Sequence, residues 1–131
     1  MAAEKNFENR IKKYLERNNC WFVKFFANAY TSSGVPDILC CINGRFVGIE
    51  VKQESGRPSL LQKVHLYNIG KAGGIGILAY PSGYEELKNL IDNLLKDRDY
   101  KVEFNGEGYI KFGRDKWKHY LNINKILLTM Q

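Results

Sequence analysis

Phe7, Ile11, Tyr14 and Leu15 recur at helical spacing in EKNFENRIKKYLERN, so residues 4–18 are expected to form an amphipathic helix. The pattern then changes. CWFVKFF (Cys20–Phe26) is rich in aromatic and β-branched residues and predicts a first strand. The small polar residues of ANAYTSSG (Ala27–Gly34) predict a loop. Two strand-like runs, ILCCI (Ile38–Ile42) and RFVGI (Arg45–Ile49), flank Asn43-Gly44, the strongest short signal for a two-residue type I′ hairpin turn. With that turn as the whole loop, Ile42 pairs with Arg45, Leu39 with Gly48, Ile38 with Ile49 and Asp37 with Glu50.

After a second loop, QESGRPS (Gln53–Ser59), Ser59 opens a helix that runs to about Ala72, and Gln62 completes a capping box. Gly73-Gly74 ends it. IGILAY (Ile75–Tyr80) predicts a short buried strand that lies parallel to a neighbour, since it follows a helix. Ser82 and Glu85 suggest another capping box, for a helix carrying Leu87, Leu90, Ile91, Leu94 and Leu95. The order is α-β-β-β-α-β-α, an α/β fold with a mixed central sheet flanked by helices. Beyond Asp99, YKVEF and YIKF around NGEG suggest a second hairpin. The final segment, GRDKWKHYLNINKILLTMQ, is basic and aromatic, then apolar, and fits helix or strand.

The hairpin pairing has a chemical consequence. Directly opposed residues share a face with Cβ atoms about 4.5–5.5 Å apart, and Lys52, two residues past Glu50, points the same way. Two carboxylates and an ammonium therefore meet beside Gly48, which leaves open space. Like charges opposed across strands are destabilising. A divalent cation is the usual compensation where oxygen ligands converge.

Composition narrows the partners. The chain has 131 residues, enough for one domain with a modest core, and its 44% hydrophobic and 13% aromatic content is that of a folded protein. A net charge of +6 suits a polyanionic partner, nucleic acid or an acidic membrane surface, although a merely soluble basic protein has the same signature. Cys20, Cys40 and Cys41 make no disulfide framework and no zinc spacing, so reduced, buried thiols are expected. The charged N-terminus is not a secretory signal and no apolar run reaches the roughly 20 residues of a membrane span. A soluble, cytoplasmic protein with no membrane partner is the expectation.

Pro36-Asp37, twelve intervening residues, then Glu50-Val51-Lys52 match the PD-(D/E)XK signature. The chain resembles that nuclease superfamily, whose restriction-endonuclease-like core is α-β-β-β-α-β. SGVPD, FVGIEVK and the SLLQ that enters the next helix are similar to the VRR-NUC branch and to archaeal-type Holliday junction resolvases. The resemblance implies one nuclease domain over 1–131, with its core at about 4–96 and an extension of unclear role at 97–131. It implies a metal-dependent endonuclease hydrolysing phosphodiester bonds in branched DNA such as Holliday junctions, acting as a homodimer because symmetrical cutting needs two sites related by a two-fold axis. Stand-alone domains of this branch are common in phages, which implies a viral source and a host-cytoplasm location. A restriction-like or exonucleolytic enzyme with the same site, a non-catalytic DNA-binding module and a basic protein that binds a protein partner are the alternatives.

The residue types suit that chemistry. Asp37 and Glu50 supply hard oxygen ligands for Mg²⁺ or Mn²⁺, and Val51 can add its backbone carbonyl. Such an ion polarises a phosphoryl oxygen and lowers the pKa of bound water. Lys52 can orient that water, accept its proton or stabilise the phosphorane charge. Glu8, on the flank of the first helix's apolar stripe, is a further metal-site candidate by resemblance, with Glu4 and Glu16 as rivals. Gln62 is both a helix cap and, by resemblance, a residue near the active site. His65 and His119 are isolated. Ser32 and Ser33 could contact phosphate or merely form a turn. Arg57, Lys63, Arg114, Lys116 and Lys118 are candidate DNA contacts, the last three interleaved with Phe112, Trp117 and Tyr120 in a pattern that also fits a solvated cationic face.

Overall fold

The computed structural model describes residues 2–27 and 33–114. Helix α1 (Ala2–Arg17) buries Phe7, Ile11 and Leu15, one stripe at i, i+4 spacing. It stops where Asn19 turns to φ 58° and the Cys20 N–H donates to the Leu15 carbonyl at 2.9 Å. Strand β1 (Trp21–Lys24) pairs antiparallel with β2 (Ile38–Ile42), which pairs antiparallel with β3 (Arg45–Val51). Asn43 and Gly44 take φ of 49° and 84°, as the type I′ turn requires, and the predicted register Ile42–Arg45, Leu39–Gly48, Ile38–Ile49 is observed.

Helix α2 (Leu60–Lys71) crosses over to β4 (Ile75–Ala79), which lies parallel to β3. Helix α3 (Tyr84–Lys96) follows a short 3₁₀ turn at Pro81–Gly83, and β5 (Ile110–Phe112) adds parallel to β4. The result is an α/β fold on an open five-stranded mixed sheet in the order β1-β2-β3-β4-β5.

Strand alternation divides the interior. Ile38, Cys40, Ile42, Val47, Ile49, Val51, Ile75 and Ile77 pack with α1 and α3 residues in the larger core. On the other face Leu66 of α2 joins Leu78, Tyr80 and Tyr109. Gly48 and Gly76 are register partners on this second face, and the pair forms a trough for α2. A Cβ on Gly76 would lie 2.6 Å from the Leu66 carbonyl oxygen, and one on Gly48 would lie 2.8 Å from Ile69 Cδ1. The space expected beside Gly48 is thus filled by Ile69 and Pro36. Helix α2 covers the middle of the sheet only, and Trp21, Val23 and Phe46 stay exposed.

Three further expectations need correction. Ser82 does not cap α3: Gly83 occupies that position, and the Ser82 hydroxyl accepts from the Arg114 N–H at 2.7 Å. The second hairpin does not form, because residues 101–105 are not strand and β5 finds its partner in β4. Of the thiols only Cys40 is buried; Cys41, one residue on and on the opposite face, is exposed, and Cys20 is intermediate. Among the described residues no helix is long and apolar enough to cross a membrane.

Candidate functional site

Glu50 lies one residue before the end of β3, in register with Leu78. It is 2% exposed and is the only buried charged side chain among the described residues. Lys52 Nζ lies 3.6 Å from Oε1, whereas Oε2 is buried without a hydrogen-bond partner. Burial first, and then the charge of Asp37, push the Glu50 carboxyl up to about 8 against the pull of Lys52, with Glu4 adding to the upward push. Burial and Asp37 thus both favour the protonated form of Glu50 in the metal-free chain. An unpartnered buried carboxylate oxygen is costly unless something else satisfies it.

Asp37 is fixed to the strands on either side. Its backbone carbonyl accepts from the Phe25 N–H at 2.8 Å, and its Oδ2 accepts from the Val51 N–H at 2.8 Å. The second contact holds the acid against the strand that carries Glu50. On the other side Lys24 Nζ lies 3.3 Å from Asp37 Oδ1 and 2.6 Å from Glu8 Oε1, and Glu8 Oε2 lies 3.3 Å from Lys12. Burial alone would lower the Lys24 pKa, but Glu8 and Asp37 outweigh it and the ammonium is held above its ordinary value. Glu8 thus reaches the candidate site through Lys24, and Glu4, one turn earlier on α1, is felt electrostatically at Glu50.

The sequence reading missed Lys24. A lysine closing an apolar strand has no local signature, and its partners are 16 and 13 residues away along the chain. Lys52 is half-buried, and its N–H donates to the Ala79 carbonyl at 3.0 Å, which extends the β3–β4 ladder by one bond.

Gln62 is occupied otherwise. Its Oε1 accepts from the Ser59 N–H at 2.8 Å and its own N–H donates to Ser59 Oγ at 3.2 Å, the full capping box. What couples this helix start to Asp37 is the backbone: at Gly34, φ 82°, a Cβ would lie 2.9 Å from the Leu61 carbonyl carbon and 3.1 Å from the Gln62 nitrogen. The preceding residue, Ser33, contributes its carbonyl to His65 Nε2 at 3.1 Å. Ser32, Lys116 and Lys118 lie outside the described residues.

Arg57, Lys63 and Arg114 come together, with Lys111, around a cleft of about 610 Å³ between α2, β4 and β5. Tyr80 lies in it, donating its hydroxyl to the Gly56 carbonyl at 3.1 Å, and Arg114 also donates to that carbonyl.

Among the described residues no three His, Cys, Asp or Glu side chains form a group that could hold a metal ion. Mg²⁺ is often held by one or two carboxylates with water and substrate phosphate completing its shell. Asp37 and Glu50 are the two carboxylates that could hold such an ion, and the orphaned Glu50 Oε2 is the atom it would satisfy. Val51 touches Asp37 through its N–H.

No protein-family model, no curated protein and no solved structure matches the chain.

Proposed function

We propose that the chain is a divalent-cation-dependent deoxyribonuclease of the PD-(D/E)XK type, with a restriction-endonuclease-like core, which hydrolyses phosphodiester bonds in branched DNA. The observation that carries this reading is the buried Glu50, with one oxygen on Lys52 and the other without a partner, beside an Asp37 that is clamped to the same strand. A structural ion pair would satisfy both carboxylate oxygens. A half-satisfied buried carboxylate next to a second carboxylate is the arrangement expected of a cation site.

In this reading Asp37 and Glu50 would hold Mg²⁺ or Mn²⁺. The ion, when bound, supplies a Lewis acid and a bound water of lowered pKa. The chain's own residues do the rest. Lys52 places a positive charge next to the Glu50 carboxylate, where a phosphoryl oxygen gathers charge during hydrolysis. Asp37, held by Val51 N–H and Phe25 N–H, keeps its orientation without substrate. Lys24 offsets part of the Glu8–Asp37 charge, and Glu50 is compensated by Lys52 on one oxygen only. The net charge of +6 favours an anionic polymer. Two copies on a four-way junction would present two such sites.

The test is cleavage of labelled four-way junction, flap, single strand and plain duplex with Mg²⁺, Mn²⁺ or EDTA. Cleavage only with added metal, strongest on the branched substrates, supports the reading. Preference for plain duplex, or trimming from ends, replaces the substrate assignment with a restriction-like or exonucleolytic one. Binding without cleavage under every metal condition makes the chain a binding module.

A further inference from the structure

We propose that the cleft between α2, β4 and β5 is a phosphate-binding track for an unpaired nucleic-acid strand, which leads the strand away from the Glu50–Lys52 centre. This deepens the nuclease reading and rests on it for the identity of the polymer. The first observation is placement. Glu50, Leu78 and Lys111 are successive register partners across β3, β4 and β5, so they form one row on one face of the sheet. Strands are about 4.8 Å apart, which puts the Lys111 backbone roughly 10 Å from that of Glu50. A strand lying across the carboxylate would reach Lys111 within a few nucleotides.

The second observation is charge. Arg57, Lys63, Lys111 and Arg114 surround the cleft against a single carboxylate, Glu107. Glu107 lies 3.7 Å from Lys63 and accepts from the Tyr109 hydroxyl at 3.1 Å. Among the described residues neither Arg57 nor Lys111 has an ion-pair partner. Arg114 is held in place by the Gly56 carbonyl and by the Tyr80 ring, 5.5 Å from its centroid, so its charge is oriented and not neutralised. Lys111 Nζ lies 6.0 Å from the same ring. With Lys63 paired to Glu107, Arg57, Lys111 and Arg114 still converge on one hollow, and they repel one another unless a further anion lies between them.

The third observation is size. A cleft of about 610 Å³ falls in the range of small-ligand pockets, roughly 300–1,000 Å³, enough for one or two nucleotides and too little for a duplex. Tyr80 and Tyr109 are buried and serve as floor, not as stacking faces, so the track reads backbone and not base.

The experiment is fluorescence anisotropy of the full chain in EDTA, where nothing can be cut. The probes are a single-stranded 12-mer with and without a 5′-phosphate, the matching duplex, and a mononucleotide as competitor. The double variant Arg57→Ala/Lys111→Ala is compared with Lys5→Ala/Lys13→Ala, an equal charge change on the exposed side of α1. Thermal melts confirm that both are folded. Removing two phosphate contacts should lower the slope of log affinity against log salt by about 1.4 for the single strand, with a 10-fold or greater loss at low salt. The α1 variant should leave the slope unchanged.

Equal losses in both variants, or no loss in the cleft variant, overturn the proposal. So does a cleft that discriminates only the duplex, or that takes the mononucleotide in preference to the strand. A gain from the 5′-phosphate marks the cleft as an end-binding subsite, and equal binding of both strands marks it as a backbone track; either sustains the phosphate assignment. The two readings fail separately. If the wild type cuts but its binding ignores the cleft variant, the track is wrong and the nuclease stands. If binding depends on the cleft but no metal produces cleavage, the track stands and the hydrolytic reading falls.

Discussion

The Val51 N–H donates to Asp37 Oδ2 at 2.8 Å, so the side chain of the residue before β2 is bonded to the backbone of β3. This one bond brings Asp37 beside Glu50, whose side chain leaves β3 one residue earlier. The two carboxylates influence each other, and Asp37 is the largest electrostatic contributor, after burial, to the raised Glu50 pKa.

Glu50→Gln is expected to separate stability from activity. The amide keeps the shape and removes a charge that the fold disfavours. Melts in EDTA at pH 8 should show the variant more stable than wild type, by about 4 kcal/mol at most. Cleavage with Mg²⁺ should drop at least about 100-fold. A variant that is both less stable and fully active would mean that Glu50 is an ordinary structural acid.

The pH dependence of the metal-free protein follows from the same group. Its carboxyl titrates near 4.5 when unfolded and about 8 when folded. Between those values the unfolded chain has lost the proton and the folded chain keeps it, so the unfolded state binds fewer protons and stability falls as pH rises. Below about 4.5 the group contributes nothing, and above about 8 its full penalty is present. Urea titrations in EDTA should show a decline from pH 5 to pH 8 that Glu50→Gln abolishes. Added Mg²⁺ should flatten the wild-type curve, because the ion takes the proton's place.

Lys24→Met should act in two opposed directions. Loss of the ammonium leaves Glu8 and Asp37 facing each other, and since these side chains are partly solvated the cost is about 1 kcal/mol. The same loss removes a cation that competes for Asp37 Oδ1, so Mn²⁺ should bind more tightly. Thermal melts and Mn²⁺ titration read the two effects, and weaker Mn²⁺ binding would show that Lys24 supports the site instead of competing with the ion.

Gly34→Ala tests the coupling between the loop before Asp37 and α2. At φ 82° any side chain is strained, and this Cβ would press on Leu61 and the Gln62 nitrogen. A loss of about 1–3 kcal/mol is expected, with cleavage reduced further than the stability loss explains. Wild-type melting and activity would show that the loop can move off the helix without consequence.

The sequence was most legible where a pattern is local. Asn43-Gly44 set the hairpin register to the residue, and Ser59 with Gln62 announced the start of α2. Legibility ended where distant residues decide the outcome. Lys24 reads as a strand lysine until folding brings it between Glu8 and Asp37. Ser82 has the spacing of a cap, yet its hydroxyl is taken by Arg114, 32 residues on. Tyr100–Phe104 has strand composition, but β4 already pairs with β5, and the segment is left outside the sheet. Gly48 looked like an opening for a ligand because nothing in the hairpin foretells that Ile69 of α2 lands on it. The hairpin register pointed Asp37 toward the end of β3 that carries Glu50, although the observed pairs stop at Ile38–Ile49 and Asp37 meets β3 through the Val51 N–H. The orphaned oxygen of Glu50 was not legible, since burial is a property of the whole fold.

The central claim is that Asp37 and Glu50 together hold a divalent cation, and the most direct measurement is Mn²⁺ binding at pH 8 followed by the resonance of the free ion. The account predicts that the wild type takes up Mn²⁺ and that Asp37→Asn and Glu50→Gln each weaken uptake at least 10-fold while remaining folded. A wild type that takes up no Mn²⁺, or variants that bind it as well as the wild type, would contradict it.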